Sequence, residues 1–292
     1  MTKRFMTLAA LCLVAVLHAG IAPQTASCQP RQAKSVTWVN PNHPKYEGLE
    51  HRTLASASLS QDVGYVVWTP PEFDNSGNTR YPVIYFLHGA GGNESSDSKG
   101  LSSMIAAGIR RGVMPPAICV FPNGGLSGYR GDVETMIVDE LIPLIDETYP
   151  TRPEATSRVA VGFSMGGAGS VRLSLLHPTL FCAAGSWGGA LSFRGNEEKS
   201  PLLPAASVNA TTLLKNEFSA LLINGDKDRP EAFKLLDERF QRLNIPNKTV
   251  VLEDTRHNLG LYHRKSGDVM IEFLGRQLNR SRSGRPIEKR VK

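Results

Sequence analysis

The sequence predicts an α/β protein: a mostly parallel, doubly wound sheet with helices on both faces and an antiparallel N-terminal strand pair. Short apolar runs that end in Gly, Asn or Asp recur along the chain, and stretches of helical periodicity separate them. Strands alternating with helices imply a parallel sheet covered on both sides. Several runs are continuously apolar instead of alternating, the pattern of strands buried on both faces.

Residues 50–71 read as two strands with a turn at SQD (60–62), stopped by Pro70 and Pro71. YPVIYFLHG (81–89) is the first buried strand. AICVFPNGG (117–125), SRVAVGFS (157–164), FCAAGSWGG (181–189), FSALLINGD (218–226) and KTVVLED (248–254) repeat its form. Helical patterns lie between and after them, over 101–112, 133–149, 166–177, 230–243 and 266–278. The stretch from Leu191 to Asn216 has the least pattern and is expected to be a loop region over a pocket.

The ends of the chain differ from its body. Lys3 and Arg4 precede FMTLAALCLVAVLHAGIA, an apolar run too short to span a bilayer comfortably. Residues 1–28 are therefore expected to be a signal peptide cleaved between about 20 and 28, and the protein to be exported, periplasmic or extracellular. TASC, ending at Cys28, is similar to a lipobox but has Thr25 where leucine is usual, so a lipid anchor at Cys28 is the lesser alternative. The formal net charge is +6, and residues 276–292 alone hold seven Lys or Arg against Glu288, so residues 1–275 are neutral as a group. Residues 35–278 are expected to form the folded domain, with 279–292 a basic, solvated tail and nucleic acid not a partner. Oligomeric state is not legible.

In open parallel sheets ligands bind beyond the carboxyl ends of the strands. Those positions read HGAGG, PNGG, GFSMGG, SWGG, GDKD and DTRHN. G-x-S-x-G alone is weak, with about 0.2 chance matches expected in a chain of this composition. Its setting raises it, because Ser164 directly follows a strand and precedes a helix, as a nucleophile elbow requires. A serine hydroxyl needs a base. Of seven histidines, His257 and His263 follow the last strand, and His257 comes first in that loop. His88 opens the HGAGG turn and reads as a structural hydrogen-bonding group. The acid that orients the base is Asp226 or Asp228, which the residues alone do not separate. An oxyanion hole uses the N–H of the residue after the nucleophile, here Met165, and a second from the glycine turn, Ala90 ahead of Gly91. Trp187, just past a strand end, is a candidate for stacking on a sugar or phenolic ring or for the core. No Cys or His cluster has zinc spacing, and neither a metal nor another cofactor is expected.

Together FLHGAGG, GFSMGG, INGDKD and DTRHN resemble the α/β-hydrolase superfamily, in particular the esterase group of esterase D, feruloyl and acetylxylan esterases, enterochelin esterases and mycolyltransferase antigens. DELIPLIDETYPTRPEATSRVAVGFSMGGAGS also resembles that group's helix leading through Tyr-Pro into the nucleophile strand. The resemblance covers residues 48–276 and implies an α/β-hydrolase fold. It selects Asp228, third after Gly225 in a G-x-x-D spacing, and supports His257 with an aromatic, Tyr262, five residues on. Thr255 and Arg256 depart from the small residues that the group places before its histidine. The group's sheet order puts the Cys119 and Cys182 strands three places apart, about 14 Å, too far for a disulfide.

The expected function is an exported serine hydrolase of carboxylic esters, with Ser164, His257 and Asp228 as its triad; the resemblance, with export, implies acetyl or feruloyl esters of polysaccharides as its substrate class. Two alternatives stand beside it: an acyltransferase to a sugar or lipid hydroxyl, and a catalytically silent binding protein on the same scaffold.

Overall fold

Eight strands form one sheet in the order β1-β2-β4-β3-β5-β6-β7-β8 in a computed structural model that describes residues 35–40, 42–191 and 201–283. The expected signal peptide and the last nine residues of the tail lie outside the described residues. β1 (Leu49–Ser56) and β2 (Gln61–Trp68) are antiparallel, and β2 is antiparallel to β4 (Ile118–Pro122). β3 (Val83–Leu87), β5 (Arg158–Phe163), β6 (Ala183–Trp187), β7 (Ser219–Gly225) and β8 (Asn247–Leu252) are parallel to their neighbours. The first hairpin turns at residues 57–60, with Ser60 at φ 52°, slightly ahead of the SQD turn expected.

Every side chain of β3 is buried, and alternate ones enter different cores. Ile84 and Phe86 pack with Leu101 and Ile105 of α1 (Ser98–Arg110) and with Met270 and Leu274 of α8 (Leu259–Ser283). Val83, Tyr85 and Leu87 face Ile137, Leu141 and Ile145 on the other side. A two-residue period therefore puts apolar groups on both faces, which is why these strands read as continuous runs.

The helix expected over 133–149 is α2 (Asp132–Thr135), a π-helical stretch (Met136–Leu141) and α3 (Ile142–Thr148). Pro143, at the start of α3, lacks the N–H that an uninterrupted α-helix would use there. The region expected to be a loop, 191–216, is corrected over its C-terminal half: α5 (Leu202–Val208) and α6 (Ala210–Lys215) occupy it. Leu202, Ala206 and Leu213 pack with Val171 of α4 (Met165–Leu176) and Leu236 of α7 (Lys234–Arg242). Two short helices carry too few turns for a clear period, so tertiary packing decides them. Residues 192–200 of that stretch lie outside the described ones. α8 continues to Ser283, past the domain end expected at 278.

Cys119 on β4 and Cys182 just before β6 are free and buried, with β3 and β5 between their strands. Among the described residues no helix is long and apolar enough to cross a membrane.

Candidate active site

The chain reverses sharply at Ser164, between β5 and α4, with φ 55° and ψ −114°. A non-glycine residue there is strained, and the surrounding packing must hold it. Two contacts do so: Ser164 N–H donates to the Trp187 carbonyl at 2.8 Å, and Ala168 N–H donates to the Ser164 carbonyl at 3.0 Å. Gly166 permits the close approach, since a Cβ on it would lie 1.8 Å from the Leu87 carbonyl oxygen.

The carboxyl ends of β7 and β8 bring two further groups to this serine. His257 Nε2 lies 2.8 Å from Ser164 Oγ, and His257 Nδ1 lies 2.6 Å from Asp228 Oδ2. A carboxylate oxygen only accepts, so Nδ1 carries the imidazole proton and Nε2 is left to accept the serine hydroxyl. The Asp228 side chain is 4% exposed and that of His257 38%, so the carboxylate is sealed while the imidazole reaches the surface. The Phe163 ring stacks on His257, with centroids 4.7 Å apart at 29°.

Tyr262, on the first turn of α8, completes the arrangement. Its hydroxyl accepts the Gly225 N–H at 2.8 Å and donates to Asp228 Oδ2 at 2.7 Å. Burial raises the phenol's pKa, and the bond to Asp228 raises it further, so the proton stays on the oxygen. The sequence flags an aromatic five residues after His257; its being tyrosine was the available sign that a hydroxyl reaches the acid. Phe163 carried no such sign.

The other aspartate and histidine have separate duties. Asp226 accepts the N–H groups of Asp254 and Thr255, both at 2.9 Å, and so shapes the loop before His257. His263 lies 3.4 Å from Asp97 and edge-on to Trp187, away from Ser164's hydrogen-bond chain. Trp187 as a stacking surface is corrected: it is fully buried, and its indole N–H donates to Ser266 Oγ at 3.0 Å. Its ring fills the core between β6 and α8, while its carbonyl is the part that serves the elbow.

Met165 begins α4 directly after Ser164. Ala90 sits in the turn Gly89–Gly92, closed by Gly92 N–H donating to the Gly89 carbonyl at 3.0 Å, with Gly91 at φ 84°. A Cβ on Gly89 would come 3.4 Å from the Ser164 Cβ, so the turn borders the serine. His88 braces it from below. Gly124 N–H donates to His88 Nε2 at 2.9 Å, which puts the ring proton on Nδ1, and Nδ1 donates to the Gly89 carbonyl at 2.8 Å. Burial lowers the His88 pKa and keeps the ring neutral for this double task. The Tyr129 hydroxyl donates to the His88 carbonyl at 3.0 Å. Buried Glu94, on the same loop, accepts Asn123 Nδ2 at 2.8 Å and Asn40 N–H at 2.6 Å, tying the N-terminal segment to the turn.

The family model described as "Putative esterase" matches residues 56–249. Esterase Rv1288 of Mycobacterium tuberculosis is 29% identical over 168 residues, which cover 53% of this chain and 34% of that protein. An endo-1,4-beta-xylanase/feruloyl esterase of Xylanibacter ruminicola is 28% identical over 198 residues, 63% of this chain and 25% of that protein. The match thus spans about a third or less of the length of these two curated relatives. Among solved structures, a ferulic acid esterase shares the fold with a TM-score of 0.69 at 19% identity, covering 79% of this chain and 98% of its own.

Proposed function

From a chain that belongs to the "Putative esterase" family, we propose a serine carboxylic-ester hydrolase that works through an acyl-enzyme. The observation that carries this reading is the chain of contacts from Ser164 Oγ to His257 Nε2 and from His257 Nδ1 to Asp228 Oδ2, at 2.8 and 2.6 Å.

In this reading Ser164 Oγ attacks the acyl carbon while His257 Nε2 takes its proton. Asp228 holds the imidazole in the tautomer that leaves Nε2 free and stabilises the imidazolium that forms. The tetrahedral oxyanion is received by the N–H groups of Met165 and Ala90, with the N-terminal end of α4 adding its dipole. Collapse breaks the ester C–O bond, and the proton on Nε2 passes to the departing alkoxide oxygen. Water, deprotonated by the same nitrogen, then releases the acid and restores the serine.

We further propose that the protein is exported and acts on acetyl or feruloyl esters of polysaccharides. Lys3 and Arg4 before the apolar run support export. The names of the Xylanibacter ruminicola relative and of the ferulic acid esterase neighbour support the feruloyl group. Hydrolysis of p-nitrophenyl acetate and methyl ferulate by the purified protein, beside Ser164→Ala, tests the reading. The substitution should remove about a thousandfold or more of the rate, and activity that survives it would overturn the assignment. Supplying a sugar or lipid alcohol and analysing products separates hydrolysis from acyl transfer.

A further inference from the structure

The parallel strands also have an opposite end. A cleft of about 730 Å³ opens there, lined by the segments that enter β3, β5, β6 and β7 and by the last turns of α8. β5 alone is six residues long, so about 20 Å of strand separates this cleft from Ser164 at roughly 3.3 Å per residue. It is not the acyl pocket.

Its charge is one-sided. Arg80, Arg152, Lys215 and Arg280 line it against Glu154 and Glu217, four cations to two carboxylates. Two of the cations are held by the fold: Arg80 Nη1 donates to the Thr151 carbonyl at 3.0 Å, and Arg280 Nη1 donates to Gln277 Oε1 at 3.3 Å. α8 delivers Arg280 to the cleft wall. Such an asymmetric field concentrates and orients anions.

The remaining lining selects among anions. Asn78, Thr79, Thr156 and Asn216 offer amides and hydroxyls between the charges. Among the described residues no aromatic side chain lines the cleft, so they offer no platform for stacking a nucleobase. Among the described residues no large aliphatic side chain lines it either, so they offer nothing to insert into a lipid surface. Spaced cations and carboxylates among neutral hydrogen-bonding groups suit a ligand that alternates carboxylate with hydroxyl. Cations meet the carboxylates, while Glu154, Glu217 and the amides accept from or donate to hydroxyls.

We propose that this cleft is a second binding site, for acidic oligosaccharide segments bearing uronate groups. It would hold the protein on an acidic polysaccharide with the Ser164 end facing away from the point of attachment. The proposal does not depend on the ester chemistry, and its test leaves that chemistry as an independent readout.

Titration of the full-length protein with a short oligogalacturonate, at low ionic strength and again at about 0.15 M salt, measures the site directly. Saturable, salt-weakened binding is expected, reduced about tenfold or more by Arg152→Glu with Lys215→Glu. Lys215→Glu alone, at the exposed end of α6, should weaken it by a smaller factor and guards against misfolding of the double variant. Hydrolysis of p-nitrophenyl acetate and the melting temperature should stay as in the parent. A chain stopped after Ser283 should still bind. The proposal is overturned by absent binding, by binding indifferent to both charge reversals, or by binding that disappears only with the tail. Equal binding of a neutral xylo-oligosaccharide, or tighter binding of an oligodeoxynucleotide or phosphatidylglycerol vesicles, also overturns it.

Discussion

Tyr262 donates its hydroxyl to Asp228 Oδ2 at 2.7 Å, the same oxygen that receives His257 Nδ1 at 2.6 Å. The phenol therefore fixes where that carboxylate points, and it is itself fixed by the Gly225 N–H at the end of β7. A helix and a strand end are locked together through the acid.

Tyr262→Phe removes that bond and leaves the Gly225 N–H without its partner. A hydrogen bond to a charged group contributes roughly 1.5–3 kcal/mol, so kcat should fall about tenfold or more with KM little changed. Steady-state kinetics on a soluble ester, together with a thermal melt, checks this. A lower melting temperature with kcat intact would reduce Tyr262 to a purely structural residue.

Gly188 adopts φ 57° beneath the same cluster. A Cβ there would meet Asp228 Oδ2 at 3.1 Å, the Tyr262 hydroxyl at 3.2 Å and His257 Cε1 at 3.3 Å. Gly188→Ala should cost about 1–2 kcal/mol for the left-handed backbone. It should cost proportionally more in rate, about tenfold or above, because small displacements of catalytic groups are expensive. Equal kcat in parent and variant would show that the cluster yields without consequence.

Asp97 and His263 form a partly buried pair beside Trp187, 3.4 Å apart. Burial pushes the Asp97 carboxyl up from 3.8 to about 7 and the His263 imidazole down from 6.5 to about 4, so each is driven toward its neutral form despite their proximity. For Asp97 the folded chain keeps a proton that the unfolded chain releases, so stability declines as pH rises from about 4 to about 7 and is not regained above. For His263 the unfolded chain gains a proton that the folded chain refuses, so stability declines as pH falls from about 6.5 to about 4. Asn tolerates the φ of 63° at position 97. Asp97→Asn should thus melt a few degrees higher than the parent above pH 7 and show no such gain near pH 4. A gain that is the same at both pH values would contradict the titration.

Cys119 and Cys182 should resist alkylation in the native protein and react on unfolding. Burial raises both thiols, that of Cys182 to about 12, so little thiolate exists at neutral pH. Peptide mapping after iodoacetamide, with and without denaturant, reads the two sites separately. Native labelling of either, or a Cys119–Cys182 disulfide, would be inconsistent with the sheet.

Much of this molecule follows from local pattern. The seven expected strands after the hairpin's first are present within a few residues, because continuous apolar runs ended by Gly, Asn or Asp leave little choice once both faces are covered. GFSMGG identifies the elbow because a strand, a serine between glycines and a helix are all adjacent in the chain. What adjacency does not reach came from the folded chain alone. The G-x-x-D spacing selects Asp228 over Asp226 only by resemblance; the contacts that separate them, one tying the 254–255 loop and the other facing His257, exist only in the folded chain. Trp187 stands at a strand end as a binding residue would, yet the pleat turns its ring into the core toward Ser266. α5 and α6 are too short to show a period, and their packing on α4 and α7 makes them helices. The sequence thus determines which strands exist and which serine they present; which neighbour touches that serine depends on contacts across 29 and 93 residues of chain, whose geometry only the closed sheet sets.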